Sequence, residues 1–167
     1  MAFAIRSSAF APGGQIPSQF TCEGQKLSPE LSWSDVPQEA RALALIVDDP
    51  DAPDPAAPLR VFTHWVLYNI PPDAPGLREG VTPSSLPAGT RLGVNDYGDE
   101  GWGPPCPPRG RHRYVFKLYA LAAPLPDLGR PTKPELERAM QGHVLAEAQL
   151  IGTYEKRHHV RRHHPQI

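Results

Sequence analysis

A chain of 167 residues suits one domain, and a domain of that size buries roughly 70% of the surface its unfolded chain exposes, so no metal or cross-link is needed to hold it together. The formal net charge is −1, but Lys156, Arg157, Arg161 and Arg162 fall in the last twelve positions, which hold no acid; the remaining 13 basic against 18 acidic residues leave the body at −5. That balance argues against general nucleic-acid binding, which depends on accumulated Lys and Arg, and confines any phosphate recognition to a local site.

From the N-terminus, the short apolar run Met1–Ile5 is broken by Arg6 and never reaches the length of a secretory core. No later stretch approaches the roughly 18 apolar residues of a membrane span, so stable membrane insertion is not expected and a cytoplasmic location is the default. Cys22 and Cys106 lie in no metal-ligand spacing and are expected as reduced thiols there; a disulfide would require their loops to meet. The 22 prolines confine helices to proline-free stretches.

Ala42–Val47 reads as a buried strand running into the turn-forming sequence Asp49-Pro50-Asp51-Ala52-Pro53. Asp54–Pro58 is a Pro/Ala loop. In Phe62–Ile70 a period of two puts Phe62, His64, Val66, Tyr68 and Ile70 on one face. Pro71–Thr90 follows as a long, weakly structured connection. In His112–Leu121 the same period groups His112, Tyr114, Phe116, Leu118 and Ala120 opposite Arg113, Lys117 and Tyr119. Each histidine thus shares a face with the most apolar residues of its strand and is expected to point inward.

Thr132–Glu135 has capping-box spacing with Pro134 in the first turn, which predicts a short helix through Leu136–Met140 stopping near Gly142. His143–Lys156 places Val144, Leu145, Ala148, Ile151 and Tyr154 on one helical stripe and predicts a second helix. Residues 1–155 therefore read as a single domain. Residues 156–167 read as a frayed basic tail whose His158, His159, His163 and His164 would have only incidental metal affinity.

Asp49, His64 and His112 stand at strand ends, and their convergence would make one pocket. Imidazoles supply N–H donors to an anion, charge-assisted when protonated. Gly101 and Gly103, in Gly101-Trp102-Gly103-Pro104-Pro105, lack a Cβ and let the backbone approach a ligand with its N–H groups. Tyr114 adds a hydroxyl donor and a wall, while Asp49 suits the orientation of an imidazole or acceptance of a bond from the ligand. Affinity for an anion should then rise as pH falls from about 8 toward 6 and the imidazoles gain protons. Each residue also has a plain structural reading: a satisfied core histidine, an Asp-Pro turn, a rigid glycine-proline bend.

Two histidines and a carboxylate also make the metal triad of non-haem iron enzymes, although no His-x-Asp or His-x-x-x-His pair occurs. No strand–turn–helix nucleophile context surrounds Ser28, Ser32 or Ser34, and Cys106 sits between prolines. Catalysis and a cofactor are not expected.

Taken together, Ser28-Pro29-Glu30-Leu31-Ser32-Trp33, the Asp49–Pro53 block, His64-Trp65-Val66, Gly101–Pro105 and His112-Arg113-Tyr114 resemble the phosphatidylethanolamine-binding protein family. Thr21-Cys22-Glu23-Gly24, Gly93-Val94-Asn95-Asp96 and Gly142–Ala146 are similar to its bacterial Raf-kinase-inhibitor-like branch. The resemblance spans about Phe10 to Tyr154. It implies an all-β fold, an antiparallel β-sandwich with C-terminal helices. It also implies a non-enzymatic small pocket for phosphoryl or phospholipid-headgroup anions, lined by Asp49, His64, Gly101, Gly103, His112 and Tyr114. Inhibition of a kinase or protease through protein contact is the alternative it permits, and a homodimer is implied by resemblance alone.

Overall fold

The computed structural model describes residues 2–157. Its strands are β1 (Ala4–Arg6), β2 (Leu31–Ser34), β3 (Ala42–Ala52), β4 (Arg60–Ile70), β5 (Gly76–Leu77), β6 (Arg91–Leu92), β7 (His112–Leu121) and β8 (Val144–Tyr154), with one helix, α1 (Lys133–Met140). They form a small sheet in the order β1-β2-β5 and a large one in the order β6-β4-β3-β7-β8, every pair antiparallel.

Alternation along β3 divides the interior in two. Leu43, Leu45 and Val47 join Ile5, Leu31, Trp33 and Leu77 of the small sheet in one core, completed by Trp65, Phe116, Leu118 and Leu150. Ala44 and Ile46 face the other way, against Leu136 and Met140 of α1. The helix begins as the sequence predicts: the Thr132 side chain accepts from the Glu135 amide and the Glu135 carboxylate accepts from the Thr132 amide.

On β4 the expected five-residue face is split. Val47 pairs with Trp65 but Asp48 pairs with Thr63, so His64 is an extra residue on its strand; Ala44 likewise meets both Tyr68 and Asn69. The two bulges leave Val66 and Tyr68 on the α1 side while Trp65, Leu67 and Ile70 enter the inter-sheet core. Asn69 holds the second bulge with a positive φ of 56°, a conformation asparagine tolerates, and its side chain clips Leu125 by two hydrogen bonds of 2.8 Å.

Residues 144–154, expected as a second helix, instead form β8, paired with β7 from Leu121↔Val144 to His112↔Tyr154. The same segment satisfies a period of two: Ala148, Leu150, Gly152 and Tyr154 are buried while Glu147 and Gln149 are exposed. Pairing to β7 supplies a ladder and a core face together, and this tertiary gain overrides the helical preference of Leu, Ala, Glu and Gln. Gly152 is required there, since a Cβ would stand 2.7 Å from both Ile16 and Phe10.

Cys22 and Cys106 form a disulfide, correcting the expectation of free thiols. Their loops do meet: the Cys22 amide donates to the Pro105 carbonyl at 3.0 Å, and the Trp102 indole N–H donates to the Phe20 carbonyl at 3.0 Å. Beyond residue 157 the expected histidine-rich tail lies outside the described residues.

Candidate functional site

On β3, Asp49 pairs with Phe62 between the register shift made by His64 and a further one before Ala52, and is fully buried. One carboxylate oxygen accepts a hydrogen bond from His112 Nδ1–H at 2.5 Å and the other accepts from the Asp51 amide at 2.7 Å. His112 opens β7, and its Nε2–H points at two carbonyls, Arg109 at 2.8 Å and Pro53 at 3.1 Å. Both ring nitrogens therefore face acceptors only, which the imidazolium satisfies. Burial pulls His112 toward the neutral form, but the hydrogen bond and charge of Asp49, helped by the Arg109 carbonyl, outweigh it and raise the pKa.

Beside it, Asp51 receives the Arg113 guanidinium through two bonds, at 2.9 and 3.0 Å, and the Arg113 amide at 2.8 Å. The Arg113 hydrogen bond holds its carboxyl below the usual range against a smaller contrary effect of burial. Asp51 thus ties β3 to β7.

His64 differs. Its Nδ1–H donates to the Gly103 carbonyl at 2.7 Å, and the Gly103 amide returns a bond to the His64 carbonyl at 2.8 Å. The ring is wholly buried, and desolvation lowers its pKa to about 4 although the Gly103 carbonyl and the charges of Asp49, Asp48 and Asp96 oppose it. His64 is therefore neutral at physiological pH, with its tautomer set by Gly103, and Nε2 carries a lone pair.

That Nε2 has no hydrogen-bond partner, nor has the buried hydroxyl of Tyr114. The two rings meet edge to face with centroids 5.2 Å apart. Among the described residues one further buried side-chain atom shares this condition, Thr90 Oγ1, which precedes β6. Burial raises the Tyr114 pKa well above normal, so its hydroxyl stays a donor. An unpaired buried polar group costs about 1–3 kcal/mol, and here two such groups stand on neighbouring rings.

The surroundings are aromatic. Phe62 packs 4.9 Å from the His64 ring and 4.8 Å from Tyr97, with the Arg60 guanidinium 4.9 Å over the Phe62 ring. Tyr97, absent from the sequence-based set, stands 5.8 Å from His64 and donates its hydroxyl to the Pro104 carbonyl at 2.8 Å. The loop carrying it is fastened by Asn95, whose carbonyl accepts from the Tyr97 and Asp99 amides and whose amide donates to the Gly101 carbonyl. Asp96 closes the loop on β4 by exchanging two bonds with Thr63. The run Asn95-Asp96-Tyr97-Gly98-Asp99 carries the composition of such a turn, the one signal that would have flagged Tyr97.

The six expected residues are thus in one neighbourhood with unequal duties. Gly103 spends its N–H on His64, so it does not offer that donor to an anion; its missing Cβ instead admits the Tyr97 ring, which a Cβ would approach to 2.7 Å. Gly101 serves its φ of +99°, with open space where a Cβ would be. His112 and Asp49 are saturated by each other and by backbone. This arrangement does not fit a metal triad either: both Asp49 oxygens and both His112 nitrogens are engaged by each other, the Asp51 amide and backbone carbonyls, and among the described residues no three His, Cys, Asp or Glu side chains are grouped to hold an ion.

The sequence profile described as phosphatidylethanolamine-binding protein matches residues 6–155. A UPF0098 protein of Methanothermobacter thermautotrophicus is 50% identical over 153 residues, covering 91% of this chain and 98% of the relative. A crystal structure of a putative phosphatidylethanolamine-binding protein homolog from Chlamydia trachomatis superposes with a TM-score of 0.85 at 44% identity, covering 93% of this chain and 98% of that one. Escherichia coli YbcL, described as a member of the mammalian family, gives 0.84 at 30% identity over 94% of this chain and all of its own. A carboxypeptidase Y inhibitor seen with its proteinase, at 19% identity and a TM-score of 0.53, shares the fold alone.

Proposed function

The chain belongs to the phosphatidylethanolamine-binding protein family, and from that premise we propose that it is a non-enzymatic binding protein with a small site for phosphoryl anions between β4 and β7. The observation that carries this reading is the adjacent pair of buried, unpartnered polar atoms, His64 Nε2 and the Tyr114 hydroxyl. Tyr114 donates to an oxyanion, His64 addresses a second oxygen, and Phe62 and Tyr97 wall the site. Asp49 and His112 act as its frame, locking β3 to β7, while Gly101 and Gly103 shape the loop that selects the His64 tautomer.

Calorimetric titration with inorganic phosphate and O-phosphoethanolamine at about pH 6 tests this. Binding to the wild type should weaken at least tenfold in Tyr114→Phe, the scale of a hydrogen bond to a charged group. Equal affinity in the two proteins, both folded, would sink the proposal. No helix among the described residues is long and apolar enough to cross a membrane. Location is a separate question: the Cys22–Cys106 bond favours a compartment where thiols are not kept reduced over the cytoplasm. Counting alkylatable thiols in intact cells discriminates the two.

A further inference from the structure

The hydrogen-bond polarity of the two unpartnered atoms restricts the ligand further than its charge does. Gly103 O fixes the only ring proton of neutral His64 on Nδ1, so Nε2 can accept a hydrogen bond but cannot donate one. Tyr114, beside it, can donate. A fully ionised oxyanion has only acceptors and would set an oxygen lone pair against the Nε2 lone pair. An oxyanion that keeps one hydroxyl fits both atoms: its P–OH donates to His64 Nε2 and another oxygen accepts from Tyr114.

We propose that the site takes phosphoryl ligands with one proton shared between His64 Nε2 and a phosphate oxygen, and so selects phosphomonoesters or inorganic phosphate over phosphodiesters. The inference rests on the anion-site reading above and narrows its ligand class. A monoester has a second ionisation near pH 6 and brings that proton itself; a diester headgroup has none to bring across the physiological range. With a diester, His64 must be protonated from solvent inside a wholly buried environment that resists the charge. The charged and titratable groups around the ring are Asp48 and Asp49 from β3, Asp96 and Tyr97 from the loop before Gly103, and Tyr114 with His112 behind it from β7. The three carboxylates favour protonation and burial outweighs them. His112 spends both nitrogens on Asp49 and backbone carbonyls, so it does not relay a proton to the ligand.

The test is calorimetric titration of the wild type between about pH 5 and 8 with O-phosphoethanolamine, a monoester, and glycerophosphoethanolamine, the diester headgroup of a phospholipid, with sulfate as a proton-free anion. Repetition in buffers of different ionisation enthalpy counts protons. Monoester affinity should be level below about pH 6 and fall about tenfold per pH unit above it, with uptake rising from near zero to about one proton per ligand. Diester and sulfate should instead weaken about tenfold per unit across the whole window and take up about one proton throughout. Tyr114→Phe should weaken all three ligands at least tenfold without changing the number of protons taken up, whereas His64→Gln should abolish the proton linkage, which separates the site from anions held at surface arginines. A pH-independent diester affinity, or a monoester that tightens as pH rises, would overturn the inference while leaving anion binding intact. Absence of binding by any probe at any pH would overturn both readings.

Discussion

Asp48 and Asp49 are neighbours on β3 and point to opposite faces of the large sheet, and the two faces use a buried carboxylate differently. Asp48 faces α1, where it meets Lys133 Nζ at 2.7 Å, Lys117 Nζ at 3.3 Å and the Thr63 hydroxyl at 3.1 Å. Both lysines keep part of their side chains in water, with 18% and 25% exposed. Every group there has a partner, and the cluster pins the helix to the sheet. Asp49 faces inward, where the side chain of its partner His112 is itself wholly buried, and one ring further the polar inventory stops balancing. Polarity beside α1 is fully paired, and beside Tyr114 it is not.

That contrast can be broken by experiment. Asp49→Asn should be the more damaging of the paired substitutions, on the order of 3–5 kcal/mol in urea unfolding, because it strands an imidazolium in a wholly buried setting. Asp48→Asn should cost about 1 kcal/mol, since Lys117 and Lys133 can turn to water. Equal losses would show the two faces to be energetically alike. Between these, Gly103→Ala should cost about 1–3 kcal/mol by driving a methyl into Tyr97, and should weaken phosphate binding by disturbing the carbonyl that sets the His64 tautomer. Gly101→Ala should cost only about 1 kcal/mol, from backbone strain at φ +99° without a clash, as thermal unfolding would report.

The two histidines sharpen the comparison through pH. His64 titrates at about 4 in the fold against an ordinary 6.5, so its stabilising contribution is complete above about pH 6.5 and is lost as pH falls toward 4, on the order of 3 kcal/mol in all. His112 has the opposite sign: its raised pKa contributes stability that is full below about 6.5 and disappears as pH rises through the folded value. Unfolding free energy measured from pH 7 to 4.5 should therefore decline in the wild type and decline less in His64→Gln. An unchanged acid limb in that variant would place the loss on other groups.

Much of the site's neighbourhood was readable from residue order. The strand β7 kept its period of two, so His112 and Tyr114 were correctly set on the core face, and the Thr132–Glu135 cap located α1. The β4 face was misread because one extra residue at His64 and another at Tyr68–Asn69 reverse the alternation, and bulges leave little trace in composition. His143–Lys156 was misread because apolar spacing there fits 3.6 and 2 alike, and only the open edge of β7 favours the strand. Pairing of Cys22 with Cys106 depends on the meeting of two loops separated by 84 residues, which spacing does not report.

Chemical kinds were set by the chain alone: an acid, two imidazoles, a phenol and flexible glycines standing at the ends of apolar segments, in a body too acidic for broad phosphate binding. Their allocation was decided by tertiary structure. A buried donor or acceptor takes whatever complement packing brings within about 3 Å, so the carbonyls of Gly103, Arg109 and Pro53, all remote in sequence or set by loop shape, determined that His112 is spent and His64 is not.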